Sequence, residues 1–172
     1  MNDGTDPIDR MRTDATAIFM AGVEAVAPGA GVKRYCRYED NRLWVADNAY
    51  LLSRYDHLYV VGAGKGCAPM AAAIEDILGP KITGGIINVK YGHATALDHI
   101  SLVEAGHPLP DEKGENGSGA IRDLLETAGK DDLVICLLSG GGSALLPLPV
   151  ENLTLKDKQD TTDVLLSCGA RI

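Results

Sequence analysis

The apolar positions at the start of the chain keep helical time. Ile8, Met11, Ala15, Ile18, Phe19, Gly22 and Val26 recur at spacings of three and four, which places them on one face of a helix. Asp6 followed by Pro7 supplies an N-cap and a proline at the first helical position, and Ala27-Pro28-Gly29 ends the run. Lys33 to Tyr38 and Arg42 to Ala46 flank the polar turn Glu39-Asp40-Asn41 and read as two short strands. From Tyr55 the pattern changes. Short, nearly continuous apolar runs at Leu58 to Val61, Gly85 to Val89, Ser101 to Ala105 and Leu133 to Leu138 are interleaved with helical segments at Cys67 to Leu78 and Gly119 to Ala128. A last helix is expected from Leu155 to Cys168, stopped by Gly169. Strands that are apolar throughout are strands covered on both faces, so the alternation predicts an α/β fold with a parallel sheet between helices.

The unusual residues follow the ends of those strands. Gly62-Ala63-Gly64-Lys65-Gly66, Lys90-Tyr91-Gly92-His93, Gly106-His107-Pro108-Leu109-Pro110-Asp111 and Ser139-Gly140-Gly141-Gly142-Ser143 each follow an apolar run. In an open parallel sheet the strand exits lie along one edge, where ligands bind, so the four loops are expected to converge. Three glycines between Ser139 and Ser143 admit a ligand close to the backbone, whose N–H groups can face phosphate or carboxylate oxygens. Gly62 and Gly64 repeat the device. Lys65 stands near the start of a predicted helix, where a cation opposes the macrodipole unless an anionic ligand is bound. His107 is a candidate ligand contact. Asp111 reads equally as the N-cap of the next helix or as a metal or substrate contact.

Spacing argues against several site types. Lys65 is followed by Gly66 rather than Ser or Thr, and Tyr59 stands where a P-loop needs its first glycine. The third position of a dinucleotide-binding glycine fingerprint is Cys67. Ser143 lacks the following glycine of a nucleophile elbow. His93, His99 and His107 do not have zinc-ligand spacing, so no metal-ligating residues are assigned.

Length and composition narrow the class. The chain has 172 residues, room for one domain with a core, and a net charge of -8 with no run of either sign, which argues against a nucleic-acid or membrane partner. The polar start Met1 to Asp6 lacks signal-peptide character and no stretch has the length of a membrane span, so a cytoplasmic setting is expected. Cys36, Cys67, Cys136 and Cys168 form no Cys-x-x-Cys pair and are read as reduced thiols, with Cys136 buried in its strand. Cys67, beside Lys65 and near a helix start, has a setting that can lower a thiol pKa.

In this order, Val60-Val61-Gly62-Ala63-Gly64-Lys65, Gly106-His107-Pro108-Leu109-Pro110-Asp111-Glu112 and Ser139-Gly140-Gly141-Gly142-Ser143-Ala144-Leu145-Leu146 resemble the class II glycerate 2-kinases, which are also labelled hydroxypyruvate reductases. Leu165 to Ile172 look like the same family. The resemblance implies a Rossmann-like N-terminal domain facing a smaller C-terminal domain, and transfer of the γ-phosphoryl group of ATP, with Mg²⁺, to the 2-hydroxyl of D-glycerate. Lys65 matches the family's active-site lysine and is assigned to the transferred phosphoryl group or the glycerate carboxylate. Ser139, Gly140, Gly141, Gly142 and Ser143 are assigned to oxyanion binding, with Gly62, Gly64 and His107 lining the cleft. Family members are longer, so residues 1–172 are expected to be a truncated N-terminal domain, inactive alone, with a sheet edge and apolar helix faces uncovered. Beyond D-glycerate and ATP, self-association is the one further partner allowed for. Two other readings stand beside the kinase: an NAD(P)H-dependent hydroxypyruvate reductase, and a non-catalytic anion-binding module.

Overall fold

The computed structural model describes residues 6–170, so the polar start at Met1 to Thr5 and the last two residues of the family-like C-terminal segment lie outside it. Helix α1 (Pro7–Ala25) is capped by the Asp6 carboxylate, which accepts from the Ile8 N–H at 3.0 Å. None of its residues is buried: the apolar stripe exists but is left uncovered among the described residues.

Pro28 starts a second helix rather than ending the first. It occupies the N-terminal turn of α2 (Pro28–Tyr35), where its fixed φ is already helical, so Lys33 to Tyr35 are helix and not strand. A side chain at Gly29 would sit 2.8 Å from the Pro69 carbonyl oxygen, so glycine there lets α2 approach the long helix α3 (Cys67–Leu78).

The expected hairpin forms from β1 (Cys36–Glu39) and β2 (Arg42–Val45), and a third strand, β3 (Asn48–Leu51), extends it into an antiparallel sheet. Asp40 and Asn41 both have positive φ, the primed turn that matches strand twist. The third strand was hidden in the sequence because it buries almost nothing and carries no apolar alternation.

The main sheet consists of β4 (Leu58–Ala63), β5 (Gly84–Lys90), β6 (Ile100–Ala105) and β7 (Leu133–Leu138), all parallel, in the order β6-β5-β4-β7. On one face Val60, Ile87, Val89 and Leu137 pack with Ala71, Ile74 and Leu78 of α3. On the other lies α4 (Glu112–Thr127), followed in the chain, after β7, by the single turn α5 (Gly142–Leu145) and then α6 (Leu155–Ser167).

Helix α4 begins seven residues before its expected start. Its first turns contain Gly114, Gly117 and Gly119, which weaken the helical signal, while the Asp111 carboxylate caps it by accepting from the Gly114 N–H at 2.9 Å. Cys136 is exposed rather than buried: β7 is an edge strand, and Val134, Cys136 and Leu138 alternate onto one face of it that is left open to solvent. The β5 to β6 connection contains no helix. The Glu75 carboxylate of α3 holds its end by accepting from the N–H groups of Asp98, His99 and Ile100 at 3.0, 2.6 and 2.8 Å. Among the described residues, no single helix is long and apolar enough to cross a membrane.

Candidate anion-binding site

The strand order fixes where a ligand belongs. From β4 the chain proceeds to β5 and β6 on one side, then returns to place β7 on the other, so the topological switch lies between the carboxyl ends of β4 and β7. The two glycine loops leave the sheet there.

They are bound to each other. The Ser139 N–H donates to the Ala63 carbonyl at 3.3 Å, the Lys65 N–H to the Gly140 carbonyl at 3.0 Å, and the Gly66 N–H to the Ser139 hydroxyl oxygen at 2.9 Å. A Cβ at Gly62 would lie 1.9 Å from the Leu137 carbonyl oxygen, and one at Gly64 would lie 2.1 Å from Ser139 Oγ. The space that Gly62 and Gly64 leave open is therefore filled by the β7 exit, and these glycines serve contact between the loops.

Gly141 is the second kind of glycine. It has φ 89°, and a Cβ there would stand 2.7 Å from the His107 ring and 3.4 Å from Lys65 Cγ. Gly140, the lysine side chain, the imidazole and Gly141 thus meet at one point of the rim. Among the described residues, the N–H groups of Gly140 and Gly141 have no acceptor, and no carboxylate pairs with Lys65. Burial, then the charges of Lys65 and Lys90, holds the His107 pKa below its ordinary value, which keeps the ring neutral in neutral solution.

The assigned residues divide by what they touch. Lys65, His107, Gly140 and Gly141 surround the open point, Gly142 and Ser143 begin the turn α5 beside it, and Gly62, Gly64 and Ser139 hold the two loops together. Asp111 is the α4 cap, and it also accepts from the Tyr91 hydroxyl at 2.7 Å. Burial pushes its pKa up, but the bonds from Tyr91, Gly106 and Gly114 and the charge of Lys113 outweigh that and hold it low. Cys67 is not activated. Burial pushes its thiol pKa up despite the contact with Ser139, and its sulfur donates to the Leu137 carbonyl at 3.4 Å.

Two residues at the end of β5 were given no site role from sequence, although Lys90 stood in one of the four strand-exit loops. Lys90 is half-buried and close enough for its charge to act on His107. Asn88 is fully buried, and its one visible signal was a polar residue inside the run Ile86-Ile87-Asn88-Val89. Among the described residues no group of three His, Cys, Asp or Glu side chains could hold a metal ion, and the rim offers no carboxylate set for one.

Comparison with known proteins identifies relatives of the chain in sequence and in fold. A family model described as "Domain of unknown function (DUF4147)" matches residues 14–172. The chain is 39% identical over 150 residues to a glycerate 2-kinase of Pyrococcus horikoshii, covering 87% of this chain and 33% of that protein. It is 44% identical over 117 residues to a putative hydroxypyruvate reductase of Agrobacterium vitis, covering 66% and 29%. The crystal structure of a glycerate kinase from Thermotoga maritima superposes with a TM-score of 0.73 at 33% identity, covering 95% of this chain and 36% of that one. The chain therefore spans about a third of the length of the curated relatives it matches.

Proposed function

Since the chain belongs to the DUF4147 family, we propose that it provides the phosphate-binding wall of a glycerate 2-kinase, an enzyme that moves the γ-phosphoryl group of ATP to the 2-hydroxyl of D-glycerate in the cytoplasm. The relatives named glycerate kinases support the reaction. The observation that carries it is the Lys65 side chain, without a carboxylate partner among the described residues, packed beside Gly140 and Gly141 at the switch point of the sheet.

Phosphoryl transfer asks a protein for positioning and for neutralisation of negative charge rather than for covalent chemistry. In this reading the Lys65 ammonium takes an oxygen of the transferred phosphoryl group or the glycerate carboxylate. The Gly140 and Gly141 amides, with the Ser143 hydroxyl, donate to the oxygens around it. Neutral His107 lines the same point and adds no competing cation. ATP enters as its Mg²⁺ complex, a substrate whose metal neutralises phosphate charge.

The test is a coupled ADP-release assay with D-glycerate on a polypeptide as long as the relatives. Lys65→Ala is expected to reduce kcat by about 10²-fold or more, the scale of losing one preorganised charge stabiliser. Turnover within a few-fold of the parent removes the catalytic role of Lys65, and no ADP release by the parent itself removes the kinase reading and leaves a non-catalytic anion-binding module. The reductase reading draws on the name of the Agrobacterium vitis relative. Against it, the space at Gly62 and Gly64 where a pyrophosphate would approach is occupied by Leu137 and Ser139. Saturable quenching in an NADH fluorescence titration would reinstate it.

A further inference from the structure

Asn88 bonds to the Lys65 loop and to the helical turns that follow the other two loops of the rim. Its backbone carbonyl accepts from the Gly64 N–H at 3.1 Å, which ties it to the Lys65 loop. Its side-chain Nδ2 donates to the Leu145 carbonyl at 2.8 Å, at the end of the turn that follows Gly140 and Gly141. The same nitrogen donates to the Gly114 carbonyl at 3.0 Å, in the first turn of the helix that follows His107 and Asp111. Ser118 Oγ, itself bonded to Gly114, lies 3.4 Å away.

The orientation of this amide is not arbitrary. Leu145 and Gly114 present carbonyl oxygens, which only accept, so the side-chain nitrogen must face them. That choice has a cost on the opposite side. Among the described residues, Asn88 Oδ1 is buried with no hydrogen-bond partner, and a Cβ at Gly117 would fall 2.1 Å from it. A fully buried polar side chain with one end unsatisfied weakens a core, and an apolar residue would fill the same strand position without that penalty. The two glycine loops are already bonded to each other, and what Asn88 adds is a bond from each side of that pair to the helix that follows the His107 loop.

We propose that Asn88 is the positioning residue of the anion site: its amide sets the His107 loop against the two bonded glycine loops, so that three strand exits present one receptacle. The inference rests on the reading of the rim as a phosphate-binding site, and Gly117 belongs to it as the residue that leaves room for the amide.

The test uses the 172-residue chain, with inorganic phosphate as probe and backbone amide signals as readout. Asn88→Asp keeps the shape but turns an acceptor toward two carbonyls. It is expected to weaken phosphate binding tenfold or more, measured well below the melting temperature. It should also speed hydrogen exchange at Gly64, Leu145 and Leu146 more than in the interior of β4 and β5. Gly117→Ala approaches the amide from the other side and is expected to act at the same amides with a several-fold loss of affinity; it decides the matter if Asn88→Asp fails to fold. Affinity within twofold of the parent, or exchange raised uniformly over the sheet, overturns the proposal and leaves Asn88 as ordinary core. If the parent chain shows no phosphate response at the rim, the phosphate-binding reading fails. The exchange pattern in the two variants then still decides whether Asn88 sets the loops.

Discussion

At the scale of single residues, two groups at the rim carry opposite lessons. Gly141 looked like one more flexible glycine, but its φ of 89° and the His107 ring 2.7 Å from where a Cβ would be make it irreplaceable. Gly141→Ala combines a left-handed backbone penalty of about 1–2 kcal/mol with displacement of the imidazole. A lower urea midpoint and weaker phosphate binding are expected together, and loss of one without the other would contradict the geometry. His107 shows how burial and two lysines tune a titration. Its folded pKa lies below the ordinary 6.5, so the folded chain binds this proton less readily than the unfolded chain does. The resulting stability is complete above about pH 6.5 and is lost as pH falls below it toward the folded value. Phosphate between Lys65 and Lys90 offsets their charge, so an NMR titration of the imidazole should find its pKa raised at saturating phosphate. An unmoved value would put the anion elsewhere.

At the scale of elements, what local sequence announces is what local bonds hold. Thr154 and Asp157 form a reciprocal capping box at the start of α6, and the helix was legible to within a residue. Helix α4 was legible only in its second half, because Gly117 and Gly114 are there to meet Asn88 and Pro147 rather than to favour a helix. The missing helix between β5 and β6 has a substitute in Glu75, whose carboxylate takes three N–H groups of that connection. Glu75→Ala leaves those donors short of an acceptor and should lower stability by about 2 kcal/mol. Urea unfolding measures this, and exchange should quicken at His99 and Ile100 before it does in β4. The base of the sheet has a similar clasp. The Asp132 carboxylate accepts from the N–H groups of Gly129 and His57 and meets the His57 ring at 2.8 Å. The Gly129 bond, the largest influence, and those from His57 hold its pKa low. This contribution is therefore present at neutral pH and lost as pH falls through the depressed value.

At the scale of the whole molecule, the apolar surface is larger than the fold can use. On α1, Met11, Ile18 and Phe19 are 62%, 74% and 68% exposed, and on α6 Val164 is 65% exposed. Contiguous apolar faces of this kind drive association. The 172-residue chain is expected to bind a hydrophobic dye and to scatter light in a concentration-dependent way, whereas monodisperse behaviour across a hundredfold dilution would show the faces to be harmless. The anion site, too, is an open rim with one wall. These residues alone should therefore bind phosphate without turning over glycerate, and ADP release at the rate of a full-length relative would contradict that.

The alternation of apolar runs and turns determined the parallel sheet, its four strands and the convergence of their exits, because a two-residue or 3.6-residue period is a property of the local chain. It also marked Lys65, His107 and the Ser139 to Ser143 loop. Only the tertiary structure decided that Gly62 and Gly64 serve the neighbouring strand, that Cys136 is exposed on an edge, that Asp111 is a cap, and that Asn88 joins three loops. Apart from the Asp111 cap, which closes on Gly114 three residues on, each of those facts depends on atoms brought together from distant parts of the chain. No period along the sequence encodes such a distance.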